Sequence, residues 1–303
     1  MTPAYVHPTN DQVARQVAHE KAVLLWAEQA SARQFTSPFN IFITRCQKSV
    51  FWRIFWAGIT CLWRRTLGQW IYIKVTLPTY NPQAEVEAMR FVSQHTKTPV
   101  PRVWLHFQWL NVHYIFMSRI PGVPLVDVWS QLPLETKEAI VSQLAGYISQ
   151  LRSIPPPPRP TIRSILGGSV QCFRLHDYDP SGPFRDEQHM NLQLRHLRPL
   201  DSFPDFVISS HTKTHPLVFT HNDLFPRNIM VDGCTVTGIM DWEAAGWFPA
   251  HWEYCKSKNW GDWRPEHALW SCWVSKFIPV FEEEARADKW LLNTLYSPSK
   301  HAI

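Results

Sequence analysis

A chain of 303 residues, 45% of them hydrophobic, can bury a sizeable core as one large domain or two modest ones. Its 25 prolines argue against an all-helical fold, because proline lacks the N–H that a helix interior needs. A formal charge of only +5, with no concentrated basic run, argues against a nucleic-acid binder.

Met1 to Asn10 is polar and contains proline, so no signal peptide is visible there. Asn10 and Asp11 can cap a helix towards Ala32, with Val13, Val17, Leu25 and Trp26 on its apolar face. Residues 36 to 69 crowd Phe, Trp and Ile together without a clean period. Within them, Phe51 to Trp63 is interrupted by Arg53 and falls short of the roughly 20 residues of a spanning helix. It fits either a core element or an interfacial segment in contact with a membrane, and the residues do not choose.

Trp70 to Val75 alternates, with Ile71, Ile73 and Val75 on one face and Trp70, Tyr72 and Lys74 on the other, which predicts a strand. Pro82 to Gln94 reads as a helix carrying Val86, Met89, Phe91 and Val92. Val103 to Met117 reads as two strands meeting near Asn111, and Ile120 to Pro124 breaks the chain at a natural hinge. Leu134 to Leu151 reads as a helix ended by the run Pro155 to Pro158, a stiff surface connection. Residues 161 to 215 hold few strong signals and should mix loops with short helices. Trp252 to Leu295 reads as helical, with a solvated acidic run from Glu282 to Glu284.

The six cysteines (Cys46, Cys61, Cys172, Cys234, Cys255 and Cys272) form no CxxC pair. That pattern fits reduced thiols and a cytoplasmic location. His251 and Cys255 have the spacing of two metal ligands on a helix, but a lone pair of this kind is ordinarily packing.

The densest chemistry lies between Phe219 and Trp242. Ile229 to Val231 and Val236 to Met240 are short apolar runs flanking Asp232-Gly233, a hairpin signal. If the turn spans Asp232 to Thr235, Val231 faces Val236 and Asn228 faces Ile239. Asp241 then follows within roughly 7 Å along the strand, so Asn228 and Asp241 emerge at the same open end of the hairpin. Two oxygen ligands there suit Mg²⁺, which fills its other positions with water and phosphate. Asp223 lies just upstream, close enough to meet the same ion or a substrate hydroxyl.

The spacing His-x-Asp, then Asn five residues after the Asp, then an Asp ending the next hairpin, matches a kinase catalytic loop. His221-Asn-Asp223…Asn228…Asp241 resembles the catalytic loop of the aminoglycoside phosphotransferase and choline kinase superfamily, which shares the protein-kinase fold. The continuation Asp241-Trp-Glu-Ala-Ala-Gly-Trp-Phe-Pro249…Trp252-Glu-Tyr254 resembles its fungal members in particular. The resemblance implies that Asp223 is the catalytic base or hydroxyl-orienting group, that Asn228 and Asp241 hold Mg²⁺, and that His221 braces the loop. Many aminoglycoside kinases have Gly where this chain has Asn222. His-Asn-Asp also occurs in choline and ethanolamine kinases, so choline or ethanolamine phosphorylation is the runner-up reading.

The first half of the chain adds to this. Lys74 on its strand and Glu85 on the next helix fit a phosphate-binding Lys held by a carboxylate. By resemblance, Tyr72 would stack on adenine, and the backbone of Ser118 and Ile120, in Phe116 to Gly122, would hydrogen-bond it. The implied fold is α+β and two-lobed like a protein kinase, with a sheet-plus-helix lobe over residues 1–120 and a mostly helical lobe over 121–303. The implied reaction is ATP- and Mg²⁺-dependent phosphoryl transfer to a small-molecule acceptor, which the residues do not name. They are equally silent on oligomeric state.

The resemblance covers roughly residues 70 to 150 and 216 to 290 and fails from Cys46 to Leu67. A phosphate-gripping loop presents backbone N–H groups, and Phe51, Trp52, Phe55, Trp56 and Trp63 offer bulk instead. ATP binding is therefore expected to be weak, absent or dependent on rearrangement. A pseudokinase acting as a binding module and a membrane-associated scaffold are the rival readings.

Overall fold

The computed structural model describes residues 67–76, 81–110, 112–176, 181–259 and 270–295. The expected helix over residues 10–32 and the aromatic stretch 51–63, with the membrane and phosphate-loop expectations placed on it, lie outside them. From Gln69 onward the chain forms one compact unit.

Its first sheet is β1 (Ile71–Thr76), β2 (Val103–Trp109) and β3 (Val112–Ser118), in the order β1-β3-β2 and antiparallel throughout. The alternation expected for β1 is present as a strand, but its burial is not one-sided. Val75 stays exposed while Lys74 is half-buried, as suits an edge strand whose polar face borders a cleft. Between β1 and β2 runs helix α1 (Pro82–His95). Asn81 caps it, its Oδ1 accepting from the Ala84 N–H at 3.3 Å, and Pro82 supplies a preset φ where no N–H is needed. Ala84, Glu85, Val86, Ala88, Met89 and Val92 form its buried face, so one carboxylate is carried inward with the apolar stripe.

After β3 the chain turns at Gly122, whose φ of 92° lies in the left-handed region. A side chain there would place Cβ 2.1 Å from the Val231 carbonyl oxygen, so only glycine allows this close approach. It lets β4 (Val123–Pro124) pair with β7 (Ile229–Asp232), which pairs in turn with β8 (Thr235–Ile239). Val123 and Pro124 are thereby fastened to the β7–β8 hairpin.

Helix α2 (Leu134–Ser153) buries Ile140, Val141, Leu144, Ile148 and Leu151, the spacing of one helical face. Shorter helices α3 (Glu187–Leu194) and α4 (Asp205–Thr212) occupy the region expected to mix loops with short helices. Strand β6 (Leu217–Thr220) pairs with β9 (Gly246–Pro249), which also takes β5 (Arg163–Ser164). Helices α5 (Trp252–Asn259) and α6 (Glu282–Leu295) follow.

Much of the aromatic content is core. Trp242, Trp252, Trp270, Tyr254, Phe219, Phe225 and Phe248 are all fully buried, each contributing about 1.5–3 kcal/mol by removal from water. Among the described residues no helix is long and apolar enough to cross a membrane. Cys172, Cys234 and Cys255 are free thiols.

Candidate active site

The hairpin β7–β8 closes through Gly233-Cys234, with Asp232 opposite Thr235 and Val231 opposite Val236, as the sequence predicts. The pairing then slips: Met230 faces Gly238, and Ile229 rather than Asn228 faces Ile239. Thr237 is the extra residue of a β-bulge, its hydroxyl donating to the Pro121 carbonyl at 2.6 Å. Asn228 sits opposite Met240 instead, whose N–H donates to the Asn228 carbonyl at 2.8 Å. The bulge therefore moves the pairing by one residue and leaves Asn228 and Asp241 at the same end of the hairpin.

His221 to Asp223 form a tightly braced turn between β6 and β7. The His221 Nε2–H donates to the Met240 carbonyl at 2.9 Å, so Nδ1 is left to accept the Asp223 N–H at 3.1 Å. His221 thus ties this turn to β8 and fixes its own tautomer. Asn222 has φ 65°, the left-handed region that glycine and asparagine tolerate best. This gives a physical reason for asparagine at this position.

Asn222 is also fully buried and every part of it is used. Its Nδ2 donates to the carbonyls of Gln171 and Ala244 at 3.2 and 3.0 Å, and its Oδ1 accepts from Trp252 Nε1 at 2.7 Å. Glu253 accepts the N–H groups of Asn222 and Leu224 at 2.8 and 3.3 Å, while Lys256 donates to the Asn222 carbonyl. Asn222→Ala should lower the unfolding free energy by about 3 kcal/mol, combining strained φ with stranded buried donors. Asn222→Gly should cost less, since glycine keeps the backbone. Urea denaturation ranking glycine as the worse replacement would contradict this.

Asp223 Oδ2 accepts from Asn228 Nδ2 at 2.7 Å and from Arg227 Nη2 at 2.7 Å. Burial pushes its carboxyl up, but the Lys256 and Arg227 charges, with the Arg227 hydrogen bond, outweigh burial and hold it below the usual range. Asp223 is therefore a carboxylate at neutral pH. Asn228 Nδ2 also donates to the Asp223 carbonyl at 2.8 Å, which leaves the amide oxygen as its ligand atom.

Across the cleft, Lys74 Nζ contacts Glu85 at 2.8 Å and Asp241 Oδ1 at 2.9 Å, with Glu243 at 3.9 Å. Burial opposes the Lys74 charge, but Glu85 and Asp241 outweigh it and raise the ammonium above its ordinary range. Glu85, inside α1, is pushed up by burial against the pull of Lys74. Asp241 has φ 66°, which turns the chain sharply as it leaves the hairpin.

Tyr72, Lys74, Glu85, Ser118, Ile120, Asn228 and Asp241 all line one cavity of about 350 Å³, together with Met117, Met230 and Met240. The Ser118 N–H is given to the Arg102 carbonyl at 2.9 Å, which removes that donor from ligand recognition. Tyr72 is half exposed at the cavity wall.

Several partners are absent from the sequence reading of the site. Glu243 brings a third carboxylate within reach of Glu85 and Asp241; its only sequence cue is the Asp241-Trp-Glu triplet. Burial and the Asp241 charge, opposed by Lys74, push Glu243 up to about 7. Such a group binds a proton in the fold that it has lost in the unfolded chain. The Glu243 contribution to the stability of the ligand-free protein should thus fall as pH rises from 4.5 to about 7, by on the order of 2 kcal/mol. Buried His211, held down at about 3, contributes the opposite slope, so the check is the difference in melting between the unaltered chain and Glu243→Gln across this range in chelator-treated buffer.

A family model described as "Phosphotransferase enzyme family" (APH) matches residues 79–271, more than half of the chain. A crystal structure of a thermostable mutant of aminoglycoside phosphotransferase APH(4)-Ia, apo form, is similar at 16% identity and TM-score 0.50, covering 75% of this chain and 78% of that one. A second APH(4)-Ia crystal structure gives 15% identity and TM-score 0.50 over 73% and 76%. Those likenesses are of fold, and they agree with the α+β, kinase-like architecture expected. No curated protein matches the chain by sequence.

Proposed function

The chain belongs to the APH phosphotransferase enzyme family, and from that premise we propose that it transfers the γ-phosphoryl group of ATP to a hydroxyl of a small-molecule acceptor. One arrangement carries the reading: Lys74 bonded at once to Glu85 and Asp241, facing a cavity that Asn228 shares. The donor set fits Mg²⁺, since Asp241, Glu243 and the Asn228 amide offer oxygen alone. Those residues would hold the ion, which when bound neutralises charge on the phosphates.

The remaining work falls to the protein. Lys74, kept in place by Glu85, presents an ammonium to phosphate oxygens. Asp223 accepts or orients the acceptor hydroxyl proton. His221, Glu253 and Lys256 keep that carboxylate fixed, which matters because phosphoryl transfer depends mainly on positioning and charge. Tyr72 and the backbone of Ser118 and Ile120 form the adenine end of the cavity. On this reading the residues up to 120 make the nucleotide side and those from 121 the acceptor side. The likeness to fungal members rests only on the Asp241 to Pro249 run with Trp252-Glu-Tyr254.

Melting of the full chain with ATP tests the reading. ATP should raise the melting temperature, and should do so more strongly with Mg²⁺ than without. Indifference to ATP under both conditions would remove the nucleotide cleft from the account.

A further inference from the structure

We propose that Glu187, His215 and His251 form a binding site for a divalent transition-metal ion, best matched by Zn²⁺ and separate from the nucleotide cleft. The three residues come from different parts of the chain: α3, the segment before β6, and the segment before α5. Glu187 Oε1 lies 2.8 Å from His215 Nδ1 and 2.9 Å from His251 Nε2. One ligand atom from each of the three lies within 4.8 Å of the other two. Tetrahedral zinc with bonds of about 2.0–2.1 Å separates its ligands by roughly 3.3 Å, so a widening of about half an ångström admits the ion. Two imidazoles and one carboxylate select zinc-like metals over the oxygen-seeking Mg²⁺.

What distinguishes this cluster from an ordinary buried hydrogen-bond hub is that every ligand has an outer partner. A metal-bound histidine typically gives its other ring N–H to a second group that fixes tautomer and orientation. His215 Nε2 faces Glu284 Oε1 at 3.4 Å, and Glu284 is itself held by Lys213 at 2.9 Å. His251 Nδ1 faces Cys255 Sγ at 3.6 Å. Glu187 Oε2 accepts the His215 N–H at 2.7 Å, leaving Oε1 for the ion.

On binding, the two inward imidazole protons move to the outer nitrogens, so no net proton is lost from the histidines. Cys255 Sγ meets the outer nitrogen Nδ1 of His251, so it is an outer contact, and the His251–Cys255 spacing marks a metal site through the histidine alone. The side chains of His215 and His251 keep 12% and 10% exposure, room for a water as fourth ligand.

The experiment strips the full chain with chelator and titrates it with Zn²⁺ alone, followed by calorimetry and metal analysis. One ion per chain is expected, with Co²⁺ giving visible bands and no thiolate charge-transfer band. His215→Gln and His251→Gln, which keep hydrogen-bonding capacity, should each weaken binding by at least about 100-fold. Asp241→Asn should leave it unchanged, and Cys255→Ser, whose hydroxyl still accepts from the outer His251 nitrogen, should weaken it by no more than about tenfold. Absence of stoichiometric Zn²⁺ in the unaltered chain overturns the proposal without any variant. So does a thiolate band, or undiminished binding in both folded histidine variants. Because Asp241 is outside this site, either result leaves the phosphotransferase reading standing.

Discussion

Asp223→Asn is expected to lose about 10²–10⁴ of the transfer rate while binding ATP nearly as tightly as the unaltered protein. The asparagine keeps the shape of the side chain, so Asn228 and Arg227, which reach Asp223 Oδ2 at 2.7 Å each, retain an oxygen to donate to. What is lost is the carboxylate that takes the acceptor proton. Lys256 and Arg227 hold that carboxylate ionised against the cost of its burial, so the unaltered group is ready at neutral pH. Asp223 is not among the residues lining the cavity that Lys74 and Tyr72 share, which is why ATP affinity should survive. The check is steady-state kcat beside the ATP dissociation constant. A variant with normal turnover removes Asp223 from the chemistry, and one that loses ATP binding in proportion makes its role structural.

Lys74→Met should cost about 3 kcal/mol of stability near pH 8 and much less near pH 5. The ammonium touches Glu85 and Asp241 and stands 3.9 Å from Glu243. Without it, three carboxylates remain together, one of them buried in α1. Low pH relieves the repulsion, because Glu85 and Glu243 already take up protons above the ordinary carboxylate range. High pH leaves them charged and unpaired. A quarter of the Lys74 side chain is exposed, which keeps the cost below that of a fully buried pair. Urea denaturation at the two pH values decides, and equal losses at both would contradict the electrostatic account. The same variant should lose most ATP affinity.

The local parts of this site were legible in the sequence, and the reasons are local. Alternation placed Lys74 on a strand, the apolar period from Pro82 to Gln94 placed Glu85 on a helix, and Asp232-Gly233 placed the hairpin. The bulge at Thr237 was not legible, since nothing in Val236 to Met240 marks which residue is unpaired. Its cause lies far away, in the Pro121 carbonyl that Thr237 meets. Glu253 carries no cue to its role in the sequence, because that role depends on a fold that brings it to the Asn222 and Leu224 N–H groups. Asn222 looked like a departure from a family habit until its φ of 65° supplied the reason. Glu187, His215 and His251 are spread along the chain with no motif among them, so only the fold brings them together.

The central claim is that this chain moves a phosphoryl group, and ADP release from ATP and Mg²⁺ across a panel of hydroxyl-bearing metabolites tests it most directly. Purified full-length protein is measured beside Asp223→Asn. The account predicts ADP formation that requires both Mg²⁺ and a particular acceptor, yields a phosphorylated product, and falls by about 10²–10⁴ in the variant. ATP binding with no acceptor-dependent turnover anywhere in the panel, or turnover that the variant retains, would contradict it.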